Sequence, residues 1–308
     1  MASAVRLVRI AQLMAATVSL ALFFQRAEAA ALPTPPSSRS RVDAAPFSAV
    51  VAFGDSFTDN GNGSFRVSNH TWPALPEYFD GRFSDGPVWI DYVAGNLSLP
   101  LYDYAVGGAT TSNALIQGYT GPGSTIPVPS VDEQVKDFLA APPSGLNSSA
   151  DAAPLFVLLS GANDVLFNIN ITAAQSFAYL SRSVEQLRQS YPAAHILLLN
   201  YPSLSRLPYA YYASSADKTS LSAYSVSLAS LLRSTTDPSA PCSQATTFVD
   251  LAPLFADFDY YAEPAAYGFE ALGAYGSCLV GAYGEVGDGV VKVCAEGFGV
   301  RVWMDEYQ

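Results

Sequence analysis

Ser56 lies in a Gly-Asp-Ser turn that follows the short apolar run 49–53. The run is short enough for a strand buried on both faces, and ligands bind at the carboxyl ends of strands in open α/β sheets. A hydroxyl nucleophile at such a position needs a base to take its proton and donors to stabilise a tetrahedral oxyanion. Asp, Ser and Gly are also ordinary turn residues, so this segment alone leaves both catalysis and a plain turn open.

Two later segments carry groups that can donate hydrogen bonds. Residues 103–113 read Asp-Tyr-Ala-Val-Gly-Gly-Ala-Thr-Thr-Ser-Asn, with Gly107 and Gly108 at the centre. The apolar run Leu155–Leu159 is followed by Ser-Gly-Ala-Asn-Asp, in which the asparagine is Asn163. A backbone N–H and a side-chain amide are both suitable oxyanion donors.

Together these three segments resemble the sequence blocks of the GDSL, or SGNH, hydrolases. The resemblance implies that Ser56 is the nucleophile and that the oxyanion hole consists of the Ser56 N–H, the Gly108 N–H and the Asn163 side-chain amide, with Gly107 as the alternative to Gly108. Asp103 stands where the family often has asparagine. The segment 71–89 is similar to plant and fungal members, including carbohydrate acetylesterases, and extends the resemblance over about residues 49 to 308.

The expected base is missing from this sequence. Family members end in Asp-x-x-His, in which the histidine is the base and the aspartate orients it. Asp305 fits the orienting acid, but the residue three positions later is Gln308. Neither His70 nor His195 lies at the expected position, and both are interpreted as structural or surface residues. Glutamine cannot accept and return a proton as imidazole does, so the sequence predicts badly impaired turnover.

Two interpretations of Gln308 remain. In the first, the domain lacks its C-terminal end because the chain is a truncated product of an esterase gene: the intron start GTAA, read through after CA, gives a Gln codon and a stop. The odd number of cysteines and the lack of a closing helix agree with this interpretation, which we favour. In the second, the chain is a degenerate relative that keeps the pocket and binds acylated sugars without turnover.

The elements that position these residues alternate between strands and helices. Short apolar runs at 49–53, 155–159, 195–200 and 246–249 predict strands. Apolar residues at helical spacing predict helices at 173–191 with Thr172 as N-cap, from Ser130 with a capping box to Glu133, and at 218–233. This alternation predicts a single α/β domain, a three-layer α/β/α sandwich with a mainly parallel sheet of the SGNH, flavodoxin-like type.

The N-terminal sequence predicts secretion. Residues 1–29 have a basic start, an apolar run and a small-residue cleavage site, which is typical of a signal peptide. Residues 30–46 are expected to form a flexible lead-in, and residues 47–308 the hydrolase domain. Five glycosylation sequons fit a secretory route and lie at Asn62, Asn69, Asn96, Asn147 and Asn170. Three disulfide pairings are open to Cys242, Cys278 and Cys294, of which we expect Cys278–Cys294 because these two flank one Gly-rich loop.

Composition narrows the function class. The chain has 15 Lys and Arg against 27 Asp and Glu, a formal charge of −12, which excludes a basic nucleic-acid binder as first choice. With two histidines there is little material for a metal site, and no metal or cofactor is expected. Family resemblance implies an extracellular serine esterase for small-molecule or saccharide esters, without stable membrane association and with short acyl groups such as acetyl favoured. The alternatives are a lipase for longer acyl chains and a catalytically dead ester- or saccharide-binding protein.

Overall fold

The computed structural model describes residues 47–74, 76–146, 153–236, 246–259, 261–271, 273, 275–283, 289, 291–292, 294, 299 and 301–308. The expected signal peptide (1–29), the lead-in (30–46, with the domain start at 47), Asn147 and Cys242 lie outside these residues.

A parallel sheet of five strands forms the centre of the domain. Its strands, in the spatial order β2-β1-β5-β6-β7, are β1 Val50–Gly54, β2 Leu101–Asp103, β5 Leu155–Leu159, β6 His195–Leu199 and β7 Thr246–Val249. Two antiparallel pairs lie outside it: β3 Tyr119–Thr120 with β4 Ile126–Pro127, and β8 Leu279–Val280 with β9 Val291–Lys292. Every residue of β1 and β5 is buried, as expected for strands covered on both faces.

Helices connect the strands. They are α1 Ser64–Val67, α2 Trp89–Leu97, α3 Val131–Ala140, α4 Ala162–Phe167, α5 Ala173–Ser190, α6 Pro208–Tyr211, α7 Ser215–Ser234 and α8 Ala252–Asp257. The helices α3, α5 and α7 pack side by side. Because β1 connects to β2 in the opposite direction from the later crossovers, right-handed connections put α2 on the other face. The result is the three-layer α/β/α sandwich that the sequence predicts.

The predicted helix starts rest on side-chain caps. Thr172 accepts from the N–H of Gln175 and begins α5, and Ser130 forms a capping box with Glu133 at the start of α3. The third predicted helix begins three residues earlier than expected, since Ser214 is its N-cap. A cap hydroxyl outweighs apolar periodicity in setting where a helix begins.

The register of the sheet brings the candidate residues to one edge. Gly54 pairs with Leu159, so β1 and β5 end at the same level. The connections leave β1 and β5 in opposite directions, towards β2 and towards β6. Such a switch point leaves a crevice beyond the strand ends, and Ser56 and Asn163 both follow directly into it.

A disulfide joins Cys278 to Cys294, with a Cα–Cα distance of 4.9 Å. It links the residue directly before β8 to the segment after β9. Ser277, beside Cys278, forms a parallel bridge with Trp303, and Leu279 N–H donates to Met304 O at 2.8 Å. The C-terminal residues are thereby attached to the disulfide-bonded hairpin. None of the described helices has the length and apolarity needed to cross a membrane.

Candidate active site

Ser56 lies in a tight turn directly beyond β1. The N–H groups of Thr58 and Asp59 both donate to Asp55 O at 2.9 Å, which closes the turn around the serine. From α3, the buried Gln134 side chain donates to Gly54 O at 2.9 Å and accepts from Gly54 N at 3.0 Å. The turn that presents Ser56 is therefore fixed from both the backbone and a neighbouring helix.

The buried carboxyl group of Asp55 contacts several polar groups next to Ser56. Tyr201 Oη donates to Asp55 Oδ2 at 2.6 Å, and the Phe57 N–H donates to Oδ1 at 3.2 Å. Asn163 Nδ2 lies 3.3 Å from Asp55 Oδ2. Burial raises the pKa of Asp55 to about 7, against the opposing effect of the bonds from Tyr201 and Phe57. The carboxyl group of Asp55 thus links three segments through hydrogen bonds. They are the turn that contains Ser56, the loop after β5 and the carboxyl end of β6.

The two adjacent glycines have different environments. Gly107 N–H donates to Asp59 Oδ2 at 2.9 Å, so it is already engaged within the protein. Gly108 lines the cavity in front of Ser56 and adopts a φ of +86°, and a Cβ on it would lie 1.9 Å from Tyr119 O. Only glycine fits this position without rearrangement. The geometry therefore favours Gly108 over Gly107 as a donor to a bound ligand.

Asn163 lies in the first turn of α4, after Gly161. Its Nδ2 donates to Ala109 O at 2.9 Å, which fixes the amide against the Gly108 loop. The next residue, Asp164, accepts from the Thr111 N–H at 2.8 Å and from Thr111 Oγ1 at 2.6 Å. The loop after β5 thus holds the loop that contains Gly108 through two consecutive side chains, Asn163 and Asp164.

Gln308 faces Ser56. Its Nε2 donates to Ser56 Oγ at 2.9 Å, although 252 positions separate the two residues. Asp305 lies just behind it, and its Oδ1 accepts from the N–H groups of Tyr307 and Gln308, both at 2.8 Å. Burial raises the pKa of Asp305 to about 7, although hydrogen bonds from Tyr78, Tyr307 and Gln308 lower it. The side chain at 308 therefore lies within hydrogen-bonding distance of the Ser56 hydroxyl and next to Asp305.

Tyr78 is the second partner of Asp305. Its hydroxyl donates to Asp305 Oδ2 at 2.6 Å, and Tyr283 Oη lies 3.3 Å from the same oxygen. Tyr78 and Trp72 are buried, so they pack inside the domain. Trp72 also lines the cavity at Ser56, where it packs edge-on against Tyr283.

A cavity of about 250 Å³ lies in front of Ser56. It joins Ser56, Gly108, Asn163 and Gln308 in one space, and its other walls are mostly aromatic and apolar. The remaining lining residues include Phe57, Phe83, Tyr119, Leu166, Phe167, Leu207, Tyr283 and Tyr307. Small ligand sites typically combine such walls with a few convergent polar groups.

The two histidines lie away from this cavity. His195 is at the amino end of β6, where its Nε2 is 2.9 Å from Thr247 Oγ1, and burial lowers its pKa to about 4. His70 is exposed and packs edge-on against Phe65. Neither is among the residues that line the cavity at Ser56. Within the described ranges, no group of three or more His, Cys, Asp or Glu side chains could hold a metal ion.

The residues that hold this site and were not predicted from the sequence include Asp59, Tyr78, Gln134 and Tyr201. Tyr201 follows the carboxyl end of β6 and could have been found by the same reasoning that placed Ser56 and Asn163. Asp59 belongs to the Gly-Asp-Ser turn segment itself. No pattern in the sequence marks Gln134, because a glutamine on a helix is usually a surface residue.

Four of the five predicted glycosylation sequons lie within the described residues. Asn62, Asn69, Asn96 and Asn170 are all exposed. A glycan could be attached at each of them without opening the fold.

Comparisons with known proteins identify the family. Residues 50–258 match the GDSL-like Lipase/Acylhydrolase family. The chain is 35% identical over 159 residues to the thermolabile hemolysin of Vibrio parahaemolyticus, covering 52% of this chain and 35% of that protein. It is 30% identical over 166 residues to the phosphatidylcholine-sterol acyltransferase of Aeromonas hydrophila (53% and 47%) and 27% identical over 126 residues to the acetylesterase of Hypocrea jecorina (39% and 36%). The matched part spans less than half the length of each of these three relatives. Because the family covers well over half of the chain, this protein belongs to the GDSL-like lipases and acylhydrolases.

Proposed function

We propose that this protein is secreted and carries a serine esterase site for short-chain carboxylic esters, acetyl esters of plant-wall saccharides among them. The observation that carries the proposal is the convergence of Ser56, Gly108, Asn163 and Gln308 on one cavity, with Gln308 Nε2 2.9 Å from Ser56 Oγ. A nucleophile, oxyanion donors and a side chain in the base position are the parts that acyl transfer requires.

The reaction would proceed through an acyl-enzyme. Ser56 Oγ attacks the ester carbonyl carbon, and the resulting oxyanion accepts hydrogen bonds from the N–H groups of Ser56 and Gly108 and from the Asn163 amide. Asn163 must then give up its 3.3 Å contact with Asp55 and keep its 2.9 Å bond to Ala109 O. The carbon–oxygen bond to the alcohol breaks, and water later releases the acid from Ser56.

Proton transfer is the step that Gln308 does not support. The Ser56 proton must move to a base during the attack and from there to the leaving alcohol. The Gln308 amide is a donor to Ser56 Oγ and has no basic nitrogen, whereas an imidazole at the same place would accept the proton. Asp305, fixed by the backbone of residues 307 and 308, would then orient that imidazole.

The size of the cavity supports short acyl groups. At about 250 Å³ it is smaller than the usual range of roughly 300–1,000 Å³ for ligand sites. The resemblance to a fungal acetylesterase points in the same direction. A long fatty acyl chain, such as a palmitoyl group, would have to extend out of this space.

A binding protein without turnover is the second candidate. Its support is the donor character of Gln308, which hydrogen-bonds to Ser56 Oγ and leaves the serine protonated. In that case the cavity would hold an acylated sugar and release it unchanged.

The proposal of secretion rests on the sequence of residues 1–29. The exposure of the four described sequons is compatible with it. Expression of the full chain in a eukaryotic secretory host, followed by N-terminal sequencing and glycosidase treatment of the medium fraction, tests cleavage near Ala29 and glycan attachment together.

The Gln308→His substitution tests the esterase site. We expect hydrolysis of p-nitrophenyl acetate to rise on the order of 100-fold or more in kcat/KM, because a correctly placed general base contributes that much. Gln308→Leu is the matched control, since it removes the amide without supplying a base. The double variant Ser56→Ala with Gln308→His should return to the activity of the unchanged chain.

Three results would contradict the proposal. A folded Gln308→His protein without esterase activity would leave only the binding candidate. Activity that survives Ser56→Ala would remove Ser56 as the nucleophile. Faster hydrolysis of p-nitrophenyl palmitate than of the acetate would replace the short-chain esterase by a lipase.

A further inference from the structure

Three exposed tyrosines lie on the short helix α6 or directly after it. Its inner side is anchored by the buried residues Leu207, Pro208 and Ala210. Tyr209, Tyr211 and Tyr212 point outward with 42%, 64% and 85% of their surface exposed. We call these three residues the tyrosine platform. A contiguous exposed aromatic surface of this kind commonly marks a binding site.

The tyrosine platform is continuous with the wall of the Ser56 cavity. The Tyr209 ring stacks on Tyr307 at 5.1 Å between centroids, and Tyr307 lines the cavity. The Tyr209 N–H also donates to Glu306 O at 2.9 Å, which holds α6 against the C-terminal segment. Tyr212 directly follows the last residue of α6, three positions after Tyr209, and its ring lies 5.2 Å from the Tyr211 ring between centroids.

The dimensions of the cavity explain why such a surface would be needed. A space of about 250 Å³ is below the usual range of roughly 300–1,000 Å³ for ligand sites, so a large ester does not fit inside it as a whole. The alcohol part of a larger substrate must leave the cavity across its rim. Tyr307 is one of the residues that line the cavity, and Tyr209 of the tyrosine platform stacks on it.

The chemistry of the platform favours a neutral sugar chain. A pyranose ring has one face of C–H groups that packs on an aromatic ring while its hydroxyls stay in water, and tyrosine combines an apolar ring with a polar hydroxyl. The segment 208–213 reads Pro-Tyr-Ala-Tyr-Tyr-Ala and has no large aliphatic side chain for insertion into lipid. The formal charge of −12 opposes attraction to anionic lipid surfaces.

We propose that Tyr209, Tyr211 and Tyr212 form a subsite that binds the sugar rings of an acylated oligosaccharide whose ester lies at Ser56. The inference rests on the proposed function, because it assigns the alcohol part of the substrate of the same site. The subsite acts through binding and takes no part in proton transfer.

The test measures binding in a protein that cannot turn over its ligand. The probe is an acetylated xylo-oligosaccharide of six sugar units, titrated calorimetrically into the Ser56→Ala protein and into the same protein with Tyr211→Ala and Tyr212→Ala. We expect affinity to fall about tenfold or more when the two exposed rings are removed. Tyr261→Ala is the matched control, because Tyr261 is 89% exposed and does not line the cavity; it should bind as tightly as the parent.

The outcomes separate this inference from the proposed function. Equal affinity of the parent and the double tyrosine variant, or no measurable binding of the oligosaccharide by the parent, would overturn the subsite. Binding to phosphatidylcholine vesicles that depends on Tyr211 and Tyr212 would assign the platform to lipid instead. An inactive Gln308→His protein would refute the esterase, whereas the binding measurement would stand because it needs no turnover.

Discussion

Tyr78 Oη donates a hydrogen bond of 2.6 Å to Asp305 Oδ2, joining residues 227 positions apart in the chain. The contact lies on the side of the carboxyl group opposite Oδ1, which accepts the N–H groups of residues 307 and 308. Asp305 is fully buried. The orientation of the Asp305 carboxyl group is therefore set by its own loop and by Tyr78, which comes from a segment much earlier in the chain.

Tyr78→Phe should impair a Gln308→His protein in a pH-dependent manner. The bond from Tyr78 lowers the pKa of Asp305, so its loss raises that pKa above about 7 and keeps the carboxyl group protonated to higher pH. We expect the acid limb of the kcat/KM profile to move to higher pH and the free energy of unfolding to fall by about 2 kcal/mol. Measurements of p-nitrophenyl acetate hydrolysis between pH 5 and 9 and of urea unfolding check both.

Tyr283→Phe is the control for this substitution, because Tyr283 Oη is 3.3 Å from the same oxygen and its ring remains. Its acid limb should move less than that of Tyr78→Phe. Identical shifts in both variants, or none in either, would show that Tyr78 packs without positioning Asp305.

The Gly108→Ala substitution should destabilise the loop that contains Gly108, the proposed oxyanion donor. The residue has a φ of +86°, and a Cβ would approach Tyr119 O to 1.9 Å, so the loop or β3 must move. We expect a loss of about 1–3 kcal/mol in unfolding free energy and loss of esterase activity in the Gln308→His protein. Gly95→Ala provides the comparison: Gly95 is in α2, where an added methyl group would meet no neighbour within 4 Å, and the substitution should stabilise by about 0.5–1 kcal/mol. If the Gly108→Ala protein were as stable as the Gly95→Ala protein, position 108 would not require glycine.

The main elements of the sheet could be predicted from the sequence because they depend on local patterns. The apolar runs 155–159 and 246–249 became β5 and β7 without a change of bounds, and Thr172 and Ser130 cap the predicted helices. Ser56 and Asn163 could be brought together because parallel strands end at a common edge. These inferences need only periodicity, capping and the handedness of crossovers.

The contacts that refine the site could not be predicted. The bond from Tyr78 to Asp305 and that from Gln134 to Gly54 join residues 227 and 80 positions apart, and no local pattern specifies such pairs. The sequence left Gly107 and Gly108 as alternatives, because both are glycines in the same turn. Their difference arises from Asp59, whose carboxylate engages the N–H of Gly107 from another loop.

His195 should make the protein less stable in acid. Burial lowers its folded pKa to about 4 from an ordinary value of 6.5, with the Arg188 charge as a second cause. Below pH 6.5 the unfolded chain takes up a proton that the folded state does not bind, so the contribution of His195 to the free energy of unfolding falls as the pH is lowered to about 4. His195→Gln should flatten this part of the stability curve, as measured by urea unfolding between pH 4 and 7.

Asp55 and Asp305 act in the opposite sense over the same range. Their raised pKa values favour the folded state at low pH, and that contribution is lost as the pH rises through about 7. The difference between the parent and His195→Gln therefore isolates the histidine. The same measurement on His70→Gln, at the exposed histidine, gives the effect of a His→Gln substitution outside β6. Parallel curves for the parent and His195→Gln would exclude a half-buried neutral imidazole at position 195.

The Asp59→Asn substitution should lower the stability of the fold and displace the loop that contains Gly107 and Gly108. One carboxylate oxygen of Asp59 accepts the N–H groups of Gly61 and Gly63, each at 3.0 Å, and the other accepts those of Ser64 at 2.7 Å and Gly107 at 2.9 Å. An amide puts an NH₂ group against one of these donor pairs, so two buried N–H groups lose their acceptor. The expected cost is about 2–4 kcal/mol in unfolding free energy.

The loss should also reach the chemistry, because the Asp59–Gly107 bond fixes the backbone from which Gly108 faces the cavity. In a Gln308→His background, Asp59→Asn should lower kcat more than it raises KM, since the oxyanion donor acts mainly in the transition state. Asp80→Asn is the matched control: Asp80 is exposed, and asparagine tolerates its φ of +47°, so stability should change by less than about 0.5 kcal/mol. If Asp59→Asn behaved like Asp80→Asn, the four N–H groups that donate to Asp59 would have found other acceptors. Asp59 would then not be the residue that holds the turn containing Ser56 and the loop containing Gly108 together.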